Sequence, residues 1–292
     1  MKLKISIITP CYNMDKYIRQ TIDSVLGQEY ENLEYIVVDG GSTDNTLDIL
    51  SEYKDRISVL ISEKDDGQYF AINKGLTLAT GEIIAWLNAD DVYFPWTLNT
   101  VNNIFENNDI CWINGMPAYL DSQGLITNIY NQVSGKPVKY IRSGWFRSGG
   151  FGYLQQESMF WRKKVTGSCG LLNTGFRLAA DYELWTRFSE KFELYSVALP
   201  LAGFRKRHDN HSLVSKDEYE REVSEICRSK KKFDILFKIA GKDNLKFNRL
   251  LRLMIWSKAP VVYYSVSKGK WCTEKRFRPI SNVTLSNLLL EV

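Results

Sequence analysis

The sequence lacks the residue patterns that build disulfide frameworks and zinc sites. Its 292 residues contain five cysteines, which are odd in number, widely spaced and without a C-x-x-C pair. This pattern disfavours both kinds of site and fits a reducing compartment. Only two histidines are present, His208 and His211, and Asp209 is the only acid close to them. They could bind a metal, but a phosphate-facing or structural role fits them better.

Several functional motifs are also missing. There is no G-x-x-x-x-G-K-[ST] loop and no G-x-G-x-x-G after the first predicted strand, which argues against a Walker-type nucleotide hydrolase and a nicotinamide dehydrogenase. No G-x-S-x-G nucleophile elbow is found. The stretch that comes nearest to a transmembrane helix, "LLRLMIWSKAPVVYY", is interrupted by Arg252, Lys258 and Pro260. At the start of the chain, the apolar run in "MKLKISIITP" is too short for a signal peptide. We therefore expect no transmembrane helix and no signal peptide.

Positive charge is concentrated near the end of the chain. Residues 228–278 hold 15 lysines and arginines against 3 acids, within a chain whose net charge is +4. Such a segment indicates an anionic partner, either a membrane surface or a nucleic acid, or simply a solvated basic face. Residues 246–256 predict a basic amphipathic helix that either lies in a membrane interface or packs on the domain. We expect no nucleic-acid partner, because the basic residues form no known binding motif.

The first 115 residues alternate between strand and helix patterns. Short apolar runs predict strands at 4–9, 33–39, 57–62, 82–87 and 109–115. Apolar residues at helical spacing predict helices at 15–28, 42–54, 68–79 and 95–108. This alternation predicts an α/β fold with a mostly parallel sheet flanked by helices.

The pattern changes after residue 115. We predict a hairpin around residues 122–124, a strand at 157–165, a helix at 178–191 and a strand pair at 193–208. The remainder is expected to be helical.

Acidic residues follow the predicted strands near the point where each strand ends. They are Asp39, Asp66, Asp90 and Asp91. Ligands bind beyond the carboxyl ends of the strands in such sheets, so these carboxylates are expected near one crevice. Grouped carboxylates repel each other unless a cation is present, and an oxygen-rich, histidine-poor set suits Mg²⁺ or Mn²⁺. The alternative is that these residues serve turns and helix caps, which Asp also favours.

Four stretches, taken in order, resemble the successive motifs of glycosyltransferase family 2. They are "ISIITPCYN", "IVVDGGSTDNT", "DDGQYFAINKGLTLATGEIIAWLNADD" and "DYELWTRF". The resemblance covers most of residues 3–212 and does not extend over the C-terminal segment. It implies a GT-A fold, a nucleotide-sugar donor and a transfer that inverts the anomeric configuration.

The resemblance also implies which residues bind the donor nucleoside. Thr9, Pro10 and Tyr12 would line the nucleobase pocket, where an aromatic ring can stack on a pyrimidine. Asp39 would accept the N3–H of uracil, and Asp66 would be a further acid of the donor site.

The stretch "NADD" stands where the family has its metal-binding acids. Asp90 corresponds to the principal ligand of Mn²⁺ or Mg²⁺, and Asp91 is a second metal candidate that either binds through water or orients the loop. The first position is Asn88, where the commonest pattern has Asp, so Asn88 is expected to contact the donor and not the metal. The cation would bridge the donor diphosphate and stabilise the nucleoside diphosphate as it leaves.

The general base of the family corresponds to Asp181, with Glu183 as the reserve candidate. From the residues alone, a helix N-cap explains Asp181 equally well. Arg205 and His208 match residues that close over the donor diphosphate. Residues 155–158 and nearby aromatics fall where such enzymes contact acceptor sugars, although core packing is the alternative for each ring. These aromatics are Trp145, Phe146, Phe151 and Tyr153.

These expectations divide the chain into a GT-A domain at 1–215 and a helical, basic C-terminal extension at 216–292. Within the domain, residues 1–115 would bind the nucleotide and residues 116–215 the acceptor. The expected reaction moves a sugar, from a UDP-linked donor in preference to a GDP-linked one, to a hydroxyl of a glycan acceptor in bacterial surface polysaccharide synthesis.

The acceptor is lipid-linked in many members of the family. A cytoplasmic location is therefore expected, with a peripheral place on the inner face of the membrane as the further expectation. Two alternatives are a nucleotidyltransferase and a non-catalytic nucleotide-sugar-binding protein. The first lacks its Gly-rich loop here, and the presence of Asp90 and Asp181 argues against the second.

Overall fold

The structure is a computed structural model that describes residues 2–107, 109–129, 135–147, 152–207, 210, 215–227 and 259–275. The strands within these residues are β1 (Ile5–Cys11), β2 (Leu33–Asp39), β3 (Val59–Ser62), β4 (Ile83–Trp86), β5 (Val92–Tyr93), β6 (Trp112–Asn114), β7 (Ala118–Leu120), β8 (Ile126–Ile129), β9 (Met159–Arg162), β10 (Tyr195–Val197), β11 (Ala202–Arg205), β12 (Pro260–Ser265) and β13 (Lys270–Lys275).

The helices connect these strands and cover the sheet. They are α1 (Ile18–Leu26), α2 (Thr46–Glu52), α3 (Gln68–Leu78), α4 (Thr97–Phe105), α5 (Val138–Ile141), α6 (Lys163–Cys169), α7 (Ala180–Lys191) and α8 (Lys216–Ile226), with 3₁₀ turns at Gln156–Ser158 and Val266–Lys268. Within the described part of the chain, no helix is both long enough and apolar enough to span a membrane.

Nine strands form one mixed sheet in the order β13-β12-β10-β6-β9-β4-β1-β2-β3. Neighbouring strands are parallel except where β9 pairs with β4 and β6 and where β13 pairs with β12. Cys11 at the end of β1 lies opposite Asp39 at the end of β2, and Ile8 lies opposite Trp86 at the end of β4. The loops that follow these three strands therefore lie at one edge of the sheet.

A smaller sheet joins the remaining strands in the order β5-β11-β7-β8. β5 begins directly after Asp91, and its Val92 pairs with Gly203 of β11. A Cβ at Gly203 would come within 2.8 Å of the side chain of Leu120 on β7, so the close approach of these strands requires glycine there. The small sheet holds the loop after β4 against the strand that ends at Arg205.

Two buried apolar clusters cover the two faces of the large sheet. One includes residues of α1, α2 and α4, and the other includes residues of α3, α7 and α8. In the second cluster, Trp86 and Trp185 of α7 stack on each other, and Trp112, Trp161 and Phe188 pack around them. This aromatic cluster fixes α7 against the strand that precedes the "NADD" stretch.

The predicted fold class is confirmed, since the five strands and four helices expected in the first 115 residues are all present. The hairpin is confirmed as well: β7 and β8 are antiparallel, and Gly124 in their turn has a φ of +89° that favours glycine. The strand pair expected at 193–208 is wrong as a pair, because β10 belongs to the large sheet and β11 to the small one.

The expectation of a helical remainder holds for α8 but is wrong for β12 and β13. β12 runs parallel to β10 and buries Val261 and Val262, which are β-branched residues suited to a strand. Residues 246–256, predicted as a basic amphipathic helix, lie outside the described residues. The domain boundary at 215–216 stays a prediction.

Candidate active site

The loop after β1 carries the residues predicted to line a nucleobase pocket. Thr9 is fully buried, and its Oγ1 accepts a hydrogen bond from Tyr35 Oη at 3.1 Å. Pro10 is also buried, whereas 56% of Tyr12 is exposed. An exposed ring at a strand end is available for stacking on a base, so Tyr12 is the best placed of the three. Their role in nucleobase binding stays a prediction.

Asp39 is fully buried at the end of β2, and its carboxylate organises the loop that follows. It accepts hydrogen bonds from the backbone N–H groups of Gly41 and Ser42, both at 3.1 Å, from Ser62 Oγ at 2.7 Å and from Ser42 Oγ. A carboxylate offers about four lone-pair directions, so these donors occupy them. The predicted contact with uracil N3–H therefore requires one of these donors, such as the Ser42 hydroxyl, to be displaced.

The loop after β3 brings a different acid toward the site from the one predicted. Asp66 is exposed, whereas its neighbour Asp65 is partly buried and accepts the N–H of Gly67 at 2.9 Å. A Cβ on Gly40 would lie 3.0 Å from Asp65 Oδ1, so this carboxylate packs directly on the backbone after Asp39. Burial raises the pKa of Asp65, and the charges of Asp39 and Asp66 act in the same direction. The sequence shows two adjacent acids and does not distinguish between them.

Asp90 forms an ion pair with an arginine that the sequence analysis missed. Arg207 Nε lies 3.1 Å from Asp90 Oδ2, and about nine-tenths of each side chain is buried. The Arg207 guanidinium also lies 4.9 Å from the ring centroid of Tyr17, and Asn210 Nδ2 donates to Asp90 Oδ2 at 3.5 Å. Asp90 therefore faces a fixed positive charge at the place where a metal ion was predicted.

Arg205, predicted to contact the donor diphosphate, is instead fully buried in β11. Its Nε donates to the backbone oxygen of Asp90 at 2.6 Å, and its terminal nitrogens donate to Gln20 Oε1 at 2.7 Å and to the Ser122 oxygen at 3.2 Å. These partners fix the loop after β4. Arg205 thus holds the loop, and Arg207 is the arginine whose side chain reaches Asp90. The predicted contact of Arg205 with the diphosphate stays a prediction.

Asp91 is almost completely buried, with 1% of its surface exposed. Its Oδ1 accepts the backbone N–H of Arg205 at 2.9 Å. Burial raises the pKa of Asp91 well above its ordinary value, and the charges of Asp90 and Glu157 act in the same direction. Of the two roles predicted for Asp91, these contacts favour orientation of the loop over metal binding, which stays untested.

The structure gives a physical reason for asparagine at position 88. Asn88 Nδ2 lies 3.4 Å from Asp91 Oδ2, and Asn88 Oδ1 accepts a hydrogen bond from Gln68 Nε2 at 2.7 Å. An amide can donate to the buried carboxylate, whereas an aspartate here would place a second negative charge beside it. Asn88 therefore connects the start of α3 to the loop after β4.

Asp181 lies in the first turn of α7, as predicted. Its Oδ1 accepts the N–H of Tyr182 at 2.7 Å. Burial raises the pKa of Asp181 to about 7, and the charge of Glu222 adds to this effect. The reserve candidate Glu183 forms a 2.7 Å ion pair with Arg187 on the same helix, so its carboxylate is already engaged. Asp181 is thus the better placed of the two to exchange a proton near neutral pH.

A further carboxyl, Glu157, is buried near the predicted metal ligand Asp90 and the predicted base Asp181. Burial raises the pKa of Glu157 to about 8, and the charges of Asp90 and Asp181 act in the same direction while Lys136 opposes them. Because the charges of both Asp90 and Asp181 act on the pKa of Glu157, the Glu157 carboxyl lies near each of them. The 3₁₀ turn at Gln156–Ser158 places Glu157 there.

The same turn carries buried amides with spare hydrogen-bonding capacity. Gln156 Nε2 donates to the backbone oxygen of Trp86 at 2.6 Å, which ties the turn to β4. Within the described residues, Gln156 Oε1 and both polar side-chain atoms of Gln155 have no hydrogen-bond partner. Unpaired buried polar atoms are uncommon and suit ligand hydroxyls. The predicted acceptor contact of residues 155–158 stays a prediction with this support.

The aromatic residues predicted near the acceptor fall into different groups. Trp145 and Phe146 are 3% and 2% exposed, so they belong to the core. Tyr153 is 41% exposed and is the ring available to a ligand. Phe151 and the predicted diphosphate contact His208 lie outside the described residues.

The described side chains fit a divalent cation only if the phosphates of the donor supply some of its ligands. Among them, no group of three or more His, Cys, Asp or Glu side chains is arranged to hold a metal ion. Mg²⁺ and similar ions often take one or two carboxylates and complete their coordination with water and substrate phosphates. Asp90 can supply such a carboxylate, since it lies at the strand-end edge beside Arg207.

Comparisons with known proteins identify the family and the fold. The family model described as "Glycosyl transferase family 2" matches residues 6–166. The uncharacterized glycosyltransferase RP339 of Rickettsia prowazekii is 42% identical over 232 residues, which cover 74% of this chain and 69% of that protein. A Bacillus subtilis protein named "Putative teichuronic acid biosynthesis glycosyltransferase TuaG" is 44% identical over 90 residues, or 30% of this chain and 36% of that protein.

Two solved structures resemble the chain over most of its length. TarS residues 1–349 of S. aureus, in complex with UDP-GlcNAc, has a TM-score of 0.61 at 18% identity and covers 87% of this chain and 71% of that chain. The mannosyltransferase PcManGT of Pyrobaculum calidifontis, with GDP-Man and Mn²⁺, has a TM-score of 0.57 at 16% identity and covers 87% and 75%. The chain spans only about a third of the length of several curated relatives that it matches.

Proposed function

Because the chain belongs to glycosyl transferase family 2, we propose that it transfers a sugar from a nucleotide diphosphate donor to a hydroxyl of a glycan acceptor, with inversion at the anomeric carbon. The observation that carries this proposal is the placement of Asp181. Its carboxyl lies at the start of α7, has a pKa of about 7 and shares a region with Asp90 and Glu157.

Asp181 serves as the general base in this proposal. The acceptor hydroxyl gives its proton to the Asp181 carboxylate while the hydroxyl oxygen attacks the anomeric carbon from the face opposite the leaving diphosphate. A base with a pKa near the operating pH combines a large ionised fraction with adequate basicity. Burial supplies that pKa here.

In this proposal, a metal ion held by Asp90 and the guanidinium of Arg207 together offset the negative charge of the donor diphosphate. Asp90 would hold Mn²⁺ or Mg²⁺, which when bound neutralises the leaving nucleoside diphosphate. Arg207 lies beside Asp90 and presents a cation to the same region. We assign Arg207 the diphosphate contact that the sequence analysis gave to Arg205. The Mn²⁺ present with PcManGT supports a divalent ion but does not fix which one serves this chain.

The donor is proposed to be UDP-linked. Support comes from Asp39, whose carboxylate suits the N3–H of uracil, from the exposed ring of Tyr12 and from the UDP-GlcNAc bound to TarS. GDP-linked donors are the competing class, as in PcManGT. A thermal-shift screen separates them, because a ligand that binds the native state raises Tm. UDP-sugars with Mn²⁺ are expected to raise Tm and GDP-sugars to leave it unchanged; the reverse would overturn the assignment.

The metal assignment has its own test. EDTA should suppress UDP binding measured by calorimetry, and added Mn²⁺ should restore it. The Asp90→Asn variant should bind UDP weakly with or without Mn²⁺, because the amide does not replace the anionic ligand. Binding that is indifferent to EDTA in the unmodified protein would contradict the assignment.

The acceptor is proposed to be a growing surface polysaccharide, in line with the name of TuaG. The proposed cytoplasmic enzyme would reach a lipid-linked acceptor through the basic segment 228–278. Truncation is a poor test, because β12 and β13 belong to the large sheet. Replacing Lys246, Arg249 and Arg252 by Gln should instead reduce sedimentation with phosphatidylserine vesicles. Equal sedimentation of variant and parent would remove the membrane proposal.

Product formation distinguishes transfer from the alternative of a non-catalytic binding protein. Incubation with the donor selected by the screen and a panel of oligosaccharides should give a β-linked product from an α-linked donor, seen by NMR of the anomeric proton. A product that retains the donor configuration would contradict inversion, and donor binding without any product or hydrolysis would favour the binding protein.

A further inference from the structure

The helix α8 contacts the backbone that leads into α7. Glu222 of α8 accepts three hydrogen bonds from consecutive backbone N–H groups: Oε1 from Arg177 at 2.9 Å, and Oε2 from Leu178 at 2.9 Å and Ala179 at 2.7 Å. These residues immediately precede the first turn of α7, where Asp181 lies. The contact joins two segments that are more than 40 residues apart in sequence.

The start of α7 depends on this contact because α7 has no N-cap side chain of its own. Ala179 occupies the N-cap position and provides no side-chain cap, whereas helices usually begin at Ser, Thr, Asp or Asn. A charged acceptor that takes several N–H groups binds more strongly than a neutral one. From the opposite side, Tyr69 Oη donates to the Leu178 oxygen at 2.6 Å. The segment that leads into α7 is thus bonded to both α3 and α8.

α8 is itself fixed on the domain, so it can act as a support. Tyr219 and Val223 are buried in the same apolar cluster as Trp185. Glu218, one turn before Glu222, forms a more distant 3.8 Å ion pair with the Arg177 side chain, 72% of which is exposed. Glu222 therefore differs from its neighbour in bonding to the backbone and not to a solvent-exposed side chain.

We propose that Glu222 is a positioning residue, which holds the start of α7 so that the Asp181 carboxyl faces the acceptor hydroxyl. The proposal rests on the proposed role of Asp181 as general base. It assigns a part in catalysis to a helix that lies beyond residues 6–166, the stretch matched by the family model.

The negative charge of Glu222 also affects the pKa of Asp181. Among the described residues, the titratable groups that act on Asp181 or are acted on by it are Glu222 and Tyr219 on α8, Tyr69 on α3, Glu157 in the 3₁₀ turn and Tyr182 on α7. Burial is the main cause of the raised pKa of Asp181, and the Glu222 charge adds to it. Removing that charge lowers the pKa of Asp181 while the other groups stay in place.

The test compares Glu222→Gln and Glu222→Ala with the matched control Glu218→Gln. Gln keeps one acceptor but loses the charge and turns an NH₂ group toward a backbone N–H. We expect kcat to fall about tenfold in Glu222→Gln and about a hundredfold in Glu222→Ala, because small misplacements of a reacting group have effects of this size. The KM for the donor should stay within about twofold, since ground-state donor binding is unaffected.

The pH profile separates positioning from a general loss of stability. In Glu222→Gln the acidic limb of kcat should move to lower pH, whereas the control Glu218→Gln should keep both the parental kcat and the parental limb. The proposal would be overturned if Glu222→Gln has a lower Tm but, at temperatures below that Tm, keeps the parental kcat and the parental acidic limb of the pH profile. If Glu222→Ala does not fold by circular dichroism, Glu222→Gln alone decides.

The outcome is distinguishable from failure of the proposed function. Asp181→Asn with undiminished transfer would remove the base assignment itself. An inactive Asp181→Asn together with parental Glu222→Gln would overturn only the role of Glu222.

Discussion

The indole of Trp185 stacks on the indole of Trp86, with ring centroids 5.3 Å apart and planes within 9° of parallel. Trp86 ends β4, two residues before the Asn88–Asp91 loop, and Trp185 lies one helical turn after Asp181. One aromatic contact in the core therefore sets the position of the proposed base relative to the proposed metal ligand.

The first prediction concerns this contact. Trp185→Ala should lower the free energy of unfolding by about 3–5 kcal/mol, as for other buried large-to-small changes. Trp185→Phe should cost less, because a ring remains and the indole N–H, which has no hydrogen-bond partner among the described residues, is removed. Urea titrations measure both. If Trp185→Ala proved as stable as Trp185→Phe, the stack would not be the support described.

The second prediction separates the two arginines of "FRKR". Arg205→Met should destabilise the fold by about 3 kcal/mol, since it leaves the buried backbone oxygen of Asp90 unpaired and removes the hydrogen bonds to Gln20 and Ser122. Arg207→Ala should raise the KM for the donor about tenfold or more, and it should also lower Tm, because it leaves the buried Asp90 carboxylate without its cation. Thermal denaturation and initial rates give the answer. A donor KM that rises in Arg205→Met and not in Arg207→Ala would restore the diphosphate contact to Arg205.

The third prediction concerns Asn88. Asn88→Asp places a carboxylate about 3.4 Å from the Asp91 carboxylate, so both are ionised only at a cost. The loss of unfolding free energy should be about 1–3 kcal/mol at pH 8 and smaller at pH 5, where protonation relieves the repulsion. Asn88→Ser, which removes the amide without adding charge, should show a loss that does not depend on pH. A pH-independent loss in Asn88→Asp would contradict the explanation.

The fourth prediction follows from the pKa of Asp181, which is raised to about 7. A general base acts only when it is deprotonated, so kcat should rise with pH and level off above the midpoint. The acidic limb of kcat should have its midpoint near pH 7 and should flatten in Asp181→Asn, which retains at most residual activity. A midpoint near pH 4 would mean that Asp181 is exposed to water during the reaction or is not the base.

The sequence predicts the fold of the first 115 residues well. Short β-branched runs and helical spacing locate the strands and helices before residue 115, and the GT-A fold expected from the four motifs is confirmed by the solved structures. It also predicts that the loops after β1, β2 and β4 meet at one edge of the sheet, as the strand register shows. These features follow from local periodicity and from the rule that parallel strands present their carboxyl ends together.

The features that the sequence does not predict depend on distant partners. Arg205 and Arg207 are two residues apart in an extended segment, and only the position of Asp90, more than 100 residues earlier, shows which one forms the ion pair. Asp65 packs on the backbone of Gly40, whereas Asp66 is exposed. Two adjacent aspartates in the sequence do not show this difference. The sequence around β12 is basic and favours helix, so the strand is not recognised from the sequence. β12 forms a strand because it pairs with the edge of β10.

The central claim is that Asp181 is the base of a sugar transfer, and one comparison tests it most directly. Transfer rate and UDP binding are measured for Asp181→Asn, with Glu183→Gln as the neighbouring control. The account predicts that Asp181→Asn loses about a thousandfold or more in kcat, within the range for general-base removal, while its Kd for UDP stays within about threefold and Glu183→Gln keeps most activity. Equal loss of UDP binding and transfer in Asp181→Asn would show that the residue is structural and would contradict the account.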